Sequence, residues 1–334
     1  MRSTKNAVRG ILLCLIASIC FLDYWEYNRQ VTANGPEQYT TLIQGTGDAP
    51  QQYRVLIVRS AWFLAQHAHL KMRHAFVAFD FFSAVIAGFI LLLLLERSEI
   101  FRRWKPMAQL CAYATYLFLT AYYLIWLDWY QRPETLPTLC FVTLMLALLS
   151  RKPAGSASLL AIVAGTLGLV LLQALTRADV AFCFYAGVFL YACLPTGRLL
   201  PGPRYFHAAL AAVAAVTAAA TQWVIAHRIY PNATYGDTAV LQIRGNLGPL
   251  SLIAFLLFLV PAGWTLWYVL KQRPAVEAPW LALLLGACIF IPLWATVGRV
   301  QEVRIFLPLA VALIPLTVAC VTEALSVPHS QEVL

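Results

Sequence analysis

Long apolar runs alternate with short polar segments along nearly the whole chain, and this pattern predicts a bundle of membrane-spanning helices. A helix rises about 1.5 Å per residue, so runs of this length are long enough to cross a bilayer. We predict about ten spans, at 11–27, 75–95, 107–127, 136–150, 156–175, 180–195, 207–227, 247–270, 279–298 and 305–325. The first, fourth and sixth have short apolar cores, and a re-entrant hairpin there would lower the count to eight or nine. The predicted fold class is all-α: a polytopic transmembrane helix bundle forming one integral membrane domain over 1–334.

The stretch 23–74 breaks this pattern, because it places a long, mixed segment between the first two spans. Loops of this length are usually functional or disordered. This one contains aromatic side chains that favour burial or an interface over free solution. They are Tyr24, Trp25, Tyr27, Tyr39, Tyr53, Trp62 and Phe63. We therefore predict a folded extracytoplasmic cap rather than a linker.

Within the cap, residues 53–73 predict an interfacial helix rather than another span. Apolar residues run from Val55 to Leu70, but Arg59 interrupts them and basic residues follow. A charge in the middle of a span is costly. A helix that lies in the outer interface, with its apolar side towards the membrane, fits this pattern better than a crossing.

Composition supports a membrane protein and argues against a soluble domain, a nucleic-acid-binding protein and a metal site. Hydrophobic residues make up 61% of the 334 residues and charged residues only 12%, whereas soluble domains carry roughly 25% charged residues. The net charge of +9 is explained better by basic loops on one side of a membrane than by nucleic acid. The eight cysteines lie in apolar stretches without metal-ligand spacing, and His67 and His69 diverge on a helix, so we predict no metal or other cofactor.

Basic residues predict the orientation of the bundle. Arg2, Lys5 and Arg9 precede the first span, and the segment ERSEIFRRWK follows the second. Because Lys and Arg accumulate on the cytoplasmic side, we expect both termini in the cytoplasm and the cap outside the inner (plasma) membrane.

Three carboxylates are candidates for chemistry. Asp23 and Glu26 lie three residues apart at the end of the first span, which puts them on one face of a continuing helix. The alternative is a solvated acidic helix end that marks the limit of the lipid. Asp80 lies inside the second span, where an ionisable residue suggests a function unless it serves as a partner for a basic residue of the cap.

Cations on the predicted outer side are candidates for binding phosphate. Arg299, Glu302 and Arg304 share the loop GRVQEVRIFLP, and two guanidiniums around one carboxylate leave donors for an anion. The alternative is an ion pair that joins two helices. Arg54 and Arg59 would serve the same anion, although their spacing puts them on different faces of a helix.

Together these features resemble multi-span bacterial membrane proteins of the GT-C glycosyltransferase type. The likeness rests on the short first span ending in acidic residues, the long first outer loop with an interfacial helix, the entry QYRVL at 52–56 and the late segment GRVQEVRIFLPL. Members of that superfamily transfer a sugar from a polyprenyl-phosphate donor, using an acidic residue of the first outer loop. The resemblance implies this role for Asp23 or Glu26. The chain departs from the commoner pattern, because DYWE at 23–26 is not a D-x-D or E-x-D pair.

The resulting functional hypothesis is a membrane glycosyltransferase that uses a lipid-linked sugar donor on the outer face of the membrane. Its partners would be that donor and membrane lipids. Two alternatives stay open: a transporter or flippase, and a non-catalytic membrane protein of cell-envelope polysaccharide assembly. A transporter of paired halves would need matching helix interruptions, but Pro261 and Pro292 interrupt only late spans.

Overall fold

The computed structural model describes residues 2–34, 37–99, 133–195, 203–234, 241–272, 276–298 and 303–326. All regular structure in these ranges is helical. The elements are α1 (Arg2–Asn34), α2 (Glu37–Gln44), α3 (Val55–His67), α4 (Met72–Arg97), α5 (Thr135–Leu149), α6 (Ser156–Cys193), α7 (Arg204–Val224), α8 (Ile243–Asn246), α9 (Pro249–Gln272), α10 (Ala278–Val297) and α11 (Ala310–Ser326). Short 3-10 helices cover Gln51–Tyr53 and Val303–Leu309, and a π-turn at Ile225–Ile229 follows α7.

Among the residues that the structure describes, five helical segments are long and apolar enough to cross a membrane, which indicates a membrane protein. They are Met72–Arg97, Ser156–Cys193, Tyr205–Ile229, Ala278–Val297 and Ile305–Leu325. α5 and the segment Arg9–Ser18 of α1 are apolar but shorter. The predicted span 107–127 lies outside the described residues.

α6 consists of two segments that meet at Arg177, whose backbone is extended (φ −151°, ψ 90°). Ile162 in the first segment and Tyr185 in the second line the same cavity, although in one straight helix they would lie about 34 Å apart. The chain therefore doubles back at Arg177. These two segments correspond to the separate spans predicted at 156–175 and 180–195.

The core of the bundle is a single apolar cluster built mainly from α5, α6, α10 and α11. α6 and α10 cross at Gly187 and Gly286, where a Cβ on Gly187 would lie 2.3 Å from the Gly286 backbone nitrogen. Small residues allow membrane helices to approach this closely. α9 and α10 continue through Pro261 and Pro292, so these prolines do not break the helices.

The cap predicted at 23–74 is folded, but less of it is loop than we expected. Residues 23–34 extend α1, and α2 and the 3-10 helix at Gln51–Tyr53 lead into α3. α3 buries Ile57, Ala61 and Ala65 against Ala75 and Phe76 of α4. The opposite side of α3 is exposed, with Trp62 and Phe63 at its surface.

The hydrogen bonds between connecting segments show which of them lie at the same end of the bundle. At the capped end, 46–59 bonds to 133–134 and 230–234, and 177–179 bonds to 303–305. Leu175 packs against the apolar cluster that contains Tyr53, which joins the two groups. The opposite end carries Ser98 and Glu99 after α4 and Glu277 before α10, which are joined by hydrogen bonds.

Candidate functional site

Hydrogen bonds attach the cap to the end of α7. The Tyr53 hydroxyl donates to the Ala233 carbonyl oxygen (2.9 Å), and Arg59 Nη2 donates to the Tyr230 hydroxyl (3.1 Å). The Ala49 N–H donates to the Thr234 carbonyl oxygen (2.9 Å). The cap is therefore fixed to the bundle by specific polar contacts as well as by apolar packing.

Gln52 gives the cap its internal order. Its side chain is 2% exposed, donates to the Leu42 carbonyl oxygen (3.2 Å) and accepts from the Gly47 N–H (2.9 Å). A buried amide whose oxygen and nitrogen are both hydrogen-bonded stabilises one loop geometry, because any other geometry would leave these buried polar atoms without partners. This geometry holds the chain that enters α3 against the bundle.

An ion pair ties the start of α3 to α5. Arg54 Nη1 donates to Glu134 Oε1, and both side chains are largely buried. Glu134 directly precedes α5. The pair therefore joins the cap to a segment 80 residues further along the chain.

A second ion pair closes the turn inside α6. Arg177 Nη2 and Nε donate to the two carboxylate oxygens of Asp179, at 2.5 and 3.3 Å. Side chains two residues apart diverge on a helix but share a side of an extended segment. The extended backbone at Arg177 thus permits this pairing.

Aromatic and backbone groups complete the environment of Arg177. Its guanidinium carbon lies 5.6 Å from the ring centroids of both Phe290 and Trp294, within the range of cation–π attraction. Trp294 Nε1 donates to Asp179 (2.9 Å), and Arg177 Nη1 donates to the Ile305 carbonyl oxygen (3.2 Å). The pair therefore joins the α6 turn to α10 and to the 3-10 helix that precedes α11.

We refer to Arg54, Glu134, Arg177, Asp179 and Trp294 as the charged cluster. Leu175, two residues before Arg177, packs against the apolar cluster that contains Tyr53, next to Arg54, so the two ion pairs lie at the same end of the bundle. Each carboxylate faces a guanidinium, and such charge-assisted hydrogen bonds are strong and directional. The charged cluster is suited to hold the cap, the α6 turn and α10 in fixed relative positions.

The predicted catalytic carboxylates belong to helices that meet near the capped end. Asp23 and Glu26 lie in the continuous helix α1, and their side chains are outside the described residues. Nearby on α1, Tyr24 packs on His74 (ring centroids 5.5 Å apart), and Asn28 accepts a hydrogen bond from Arg73. This part of α1 therefore lies beside the start of α4.

Asp80 is buried in α4, with 3% of its surface exposed. It lies six residues after His74, which is about 9 Å deeper along the helix. Asp80 takes part in interactions within the protein.

The residues that were predicted to bind phosphate have different surroundings in the structure. Arg54 is occupied by Glu134, whereas Arg59 is half-buried and bonded to the neutral Tyr230 hydroxyl. The backbone of Arg304 belongs to the 3-10 helix that bonds to Arg177, but its side chain is not described. Arg299 and Glu302 lie outside the described residues.

The sequence did not lead us to predict a site role for Glu134, Arg177, Asp179 or Trp294. A usable signal was present in TRAD at 176–179, where two opposite charges stand between apolar runs. The partnership of Asp179 with Trp294, 115 residues away, had no comparable signal.

The histidines of the cap do not assemble a metal site. His67 packs on Phe63 (ring centroids 3.9 Å apart), and His74 packs on Tyr24. Within the described ranges, no group of three or more His, Cys, Asp or Glu side chains is arranged to hold a metal ion.

Comparisons with protein-family models, with curated proteins and with solved structures give no significant match to this chain. The interpretation of the capped end therefore rests on its own residues and geometry.

Proposed function

We propose that this protein is a membrane glycosyltransferase of the GT-C type, which moves a sugar from a polyprenyl-phosphate-linked donor to an acceptor at the outer face of the membrane. The proposal starts from the resemblance in architecture and is supported by one structural observation. The helix ends and turns that carry the candidate residues gather at the capped end.

This gathering involves elements far apart in sequence. Tyr24 contacts His74 beside Asp23 and Glu26, and Arg59 bonds to Tyr230. Ile305, next to Arg304, bonds to Arg177 of the α6 turn. A transfer reaction needs a base and cations within reach of one substrate, and this arrangement supports such a site.

In the proposed reaction, Asp23 takes the proton from the acceptor hydroxyl as that oxygen forms a bond to the anomeric carbon. The bond from this carbon to the donor phosphate breaks, and polyprenyl phosphate leaves. Glu26 orients the acceptor, and Asp80 is the alternative base. This division of roles follows from position, since a base must approach the hydroxyl to about 3 Å.

Cations stabilise the negative charge that develops on the leaving phosphate. Arg59, Arg299 and Arg304 have this role, and the Glu302 carboxylate orients the two guanidiniums of its loop. Arg54 has a positioning role instead, because its guanidinium is paired with Glu134.

The proposal includes about ten spans, both termini in the cytoplasm and the cap outside the inner membrane, as the distribution of basic residues favours. A reporter enzyme inserted after Gly45 tests this orientation. An alkaline phosphatase fusion, which is active only outside the cytoplasm, should be active at this site. Activity of a cytoplasm-specific reporter there instead would contradict the proposed orientation.

A release assay tests the reaction. The purified protein is incubated with a panel of polyprenyl-phosphate-linked sugars and acceptors, and free polyprenyl phosphate is measured. Asp23→Asn or Glu26→Gln should reduce turnover by at least about a hundredfold, while Asp48→Asn, an exposed carboxylate elsewhere in the cap, should retain it. Each variant is first shown to melt as the parent does.

Near-parental turnover in Asp23→Asn, Glu26→Gln and Asp80→Asn would contradict the proposed mechanism. A protein that binds the lipid-linked sugar but releases no polyprenyl phosphate with any acceptor would instead fit a carrier or assembly protein.

A further inference from the structure

α7 is the candidate span that is least covered by the rest of the protein. Within the apolar window of Tyr205–Ile229, 22% of residues are buried, against 39 to 72% in the other four candidate spans. Ala211, Ala214 and Ala218 face the bundle, whereas Val213 and Val216 are exposed. In a membrane protein such an exposed apolar side contacts lipid, so the end of α7 lies among lipid head groups.

The end of α7 has an uncommon geometry. A π-turn covers Ile225–Ile229, and the Tyr230 N–H donates to the Ile225 carbonyl oxygen (2.9 Å). π-turns occur often at functional sites. Here the turn brings two basic residues, His227 and Arg228, next to the exposed ring of Trp223.

His227 holds the Trp223 ring in place. The two rings are stacked, with centroids 5.2 Å apart and planes 20° apart. His227 Nδ1 lies 3.0 Å from the Trp223 carbonyl oxygen; this oxygen can only accept, so Nδ1 is the donor. The indole therefore has a fixed position, although 52% of Trp223 is exposed.

Arg228 lies against the same indole, with its guanidinium carbon 5.9 Å from the ring centroid. This contact orients the guanidinium without using its N–H donors. No residue in the described ranges forms a hydrogen bond or ion pair with Arg228. A cation held in place with free donors favours an external anion.

We propose that Arg228, supported by His227 and Trp223, binds the phosphate of an anionic phospholipid in the leaflet at the capped end. The guanidinium matches phosphate oxygens in pairs, and the long arginine side chain reaches the head-group level from a span end. Trp223, Val224 and Ile229 are exposed apolar neighbours that fit acyl chains. These apolar neighbours favour a membrane lipid over a free anion. The proposed lipid site does not depend on the proposed transferase activity.

The opposite end of the bundle offers a matched control. Lys271 Nζ lies 4.9 Å from the ring centroid of Trp267, which is also exposed at the end of a helix. Lys271 is a point charge without the planar fork of arginine. Removing its charge changes the net charge of the protein as much as removing that of Arg228.

The test measures lipid binding to the purified protein in a neutral detergent. Dioleoylphosphatidylglycerol and dioleoylphosphatidylcholine are titrated separately, and bound lipid is counted by native mass spectrometry. We expect Arg228→Gln to weaken phosphatidylglycerol binding at one site about tenfold. Lys271→Gln should leave this site unchanged, and phosphatidylcholine should bind equally to all three proteins.

A third arm adds inorganic phosphate during the phosphatidylglycerol titration. We expect no competition at millimolar phosphate, because the acyl chains contribute to binding. Effective competition would show a site for free phosphate and would overturn the assignment to lipid.

Equal phosphatidylglycerol binding by the parent and Arg228→Gln would also overturn the proposal, as would an equal loss in Lys271→Gln. If Arg228→Gln does not fold, Arg228→Lys replaces it. This variant keeps the charge and loses the fork, so we expect a smaller but measurable loss, and parental affinity would contradict the site.

Discussion

The two ends of the bundle are held together by different chemistry. At the capped end, the ion pair Arg54–Glu134 joins residues 80 positions apart. The local pair Arg177–Asp179 is in turn bonded to the distant residues Ile305 and Trp294. At the opposite end, the Glu277 carboxylate accepts hydrogen bonds from neutral donors, namely the Ser98 hydroxyl (2.6 Å) and the Glu99 N–H.

This difference has an energetic consequence. A buried charge that loses its partner is left uncompensated, whereas a neutral donor that loses its acceptor costs only a hydrogen bond. The capped end should therefore tolerate changes to its polar residues less well. Buried ion pairs contribute little net stability compared with apolar packing, so we interpret those of the capped end as devices that specify geometry.

The largest effect is expected from Asp179→Asn. The asparagine cannot neutralise Arg177, whose side chain is 5% exposed, and stability should fall by about 3 to 5 kcal/mol. Chemical denaturation in detergent, followed by circular dichroism, measures the loss. The double variant Arg177→Gln, Asp179→Asn should lose less than the single variant, because no unpaired charge remains. Equal losses would mean that the two charges are not coupled.

A smaller effect is expected from Glu134→Gln, which loosens the cap. Arg54 loses its counter-ion but is more exposed than Arg177, so we expect a cost of about 1 to 2 kcal/mol. Hydrogen exchange should become faster at residues 46–59 and stay unchanged at the opposite end. Asp48→Asn, the same chemical change at an exposed cap residue, is the control. Unchanged exchange in Glu134→Gln would show that the pair does not hold the cap.

The corresponding change at the opposite end is Glu277→Gln. The amide oxygen still accepts one hydrogen bond, so stability should fall by less than about 1 kcal/mol. The same denaturation measurement applies. A loss of stability as large as that of Asp179→Asn would show that the two ends do not differ in their tolerance of polar substitutions.

The smallest effect is expected from Tyr185→Phe. Tyr185 lines a narrow cavity with Thr166 and His207, and its buried hydroxyl has no hydrogen-bond partner among the described residues. Removing an unsatisfied hydroxyl should be neutral or stabilising by up to about 1 kcal/mol. Tyr53→Phe, which removes the bond to Ala233, should instead destabilise by about that amount. A clear loss in Tyr185→Phe would indicate a bound water or ligand in the cavity.

Much of the helical framework was predictable because apolar runs and helix lengths are local properties. Separate spans were predicted at 156–175 and 180–195, and an extended residue, Arg177, lies between these two segments of α6. The helix that begins at Val55 was expected from the apolar run, and its position in the membrane interface stays a prediction. The first helix was predicted to reach residue 27, and its extension through 28–34 was missed, because the polar residues there were interpreted as loop.

The site was less predictable, because partners depend on which segments meet. Arg54 was predicted to bind phosphate, but its pairing with Glu134 was not predicted. Asp179 depends on Trp294 as well as on Arg177, and no periodic pattern connects α6 with α10. By contrast, stacking of His227 on Trp223 involves neighbours four residues apart, which a helical pattern brings together.

The sequence by itself determined the membrane class and much of the helical framework, and it predicted a folded segment between the first two long helices. The transfer of apolar groups from water and backbone hydrogen bonding within a helix are local requirements. Only the tertiary structure decided which charges are compensated, where the cap is attached and which cation remains free beside an aromatic ring. Those outcomes follow from the packing of distant helices, since an ion pair forms only where the folded chain brings a guanidinium and a carboxylate within hydrogen-bonding distance.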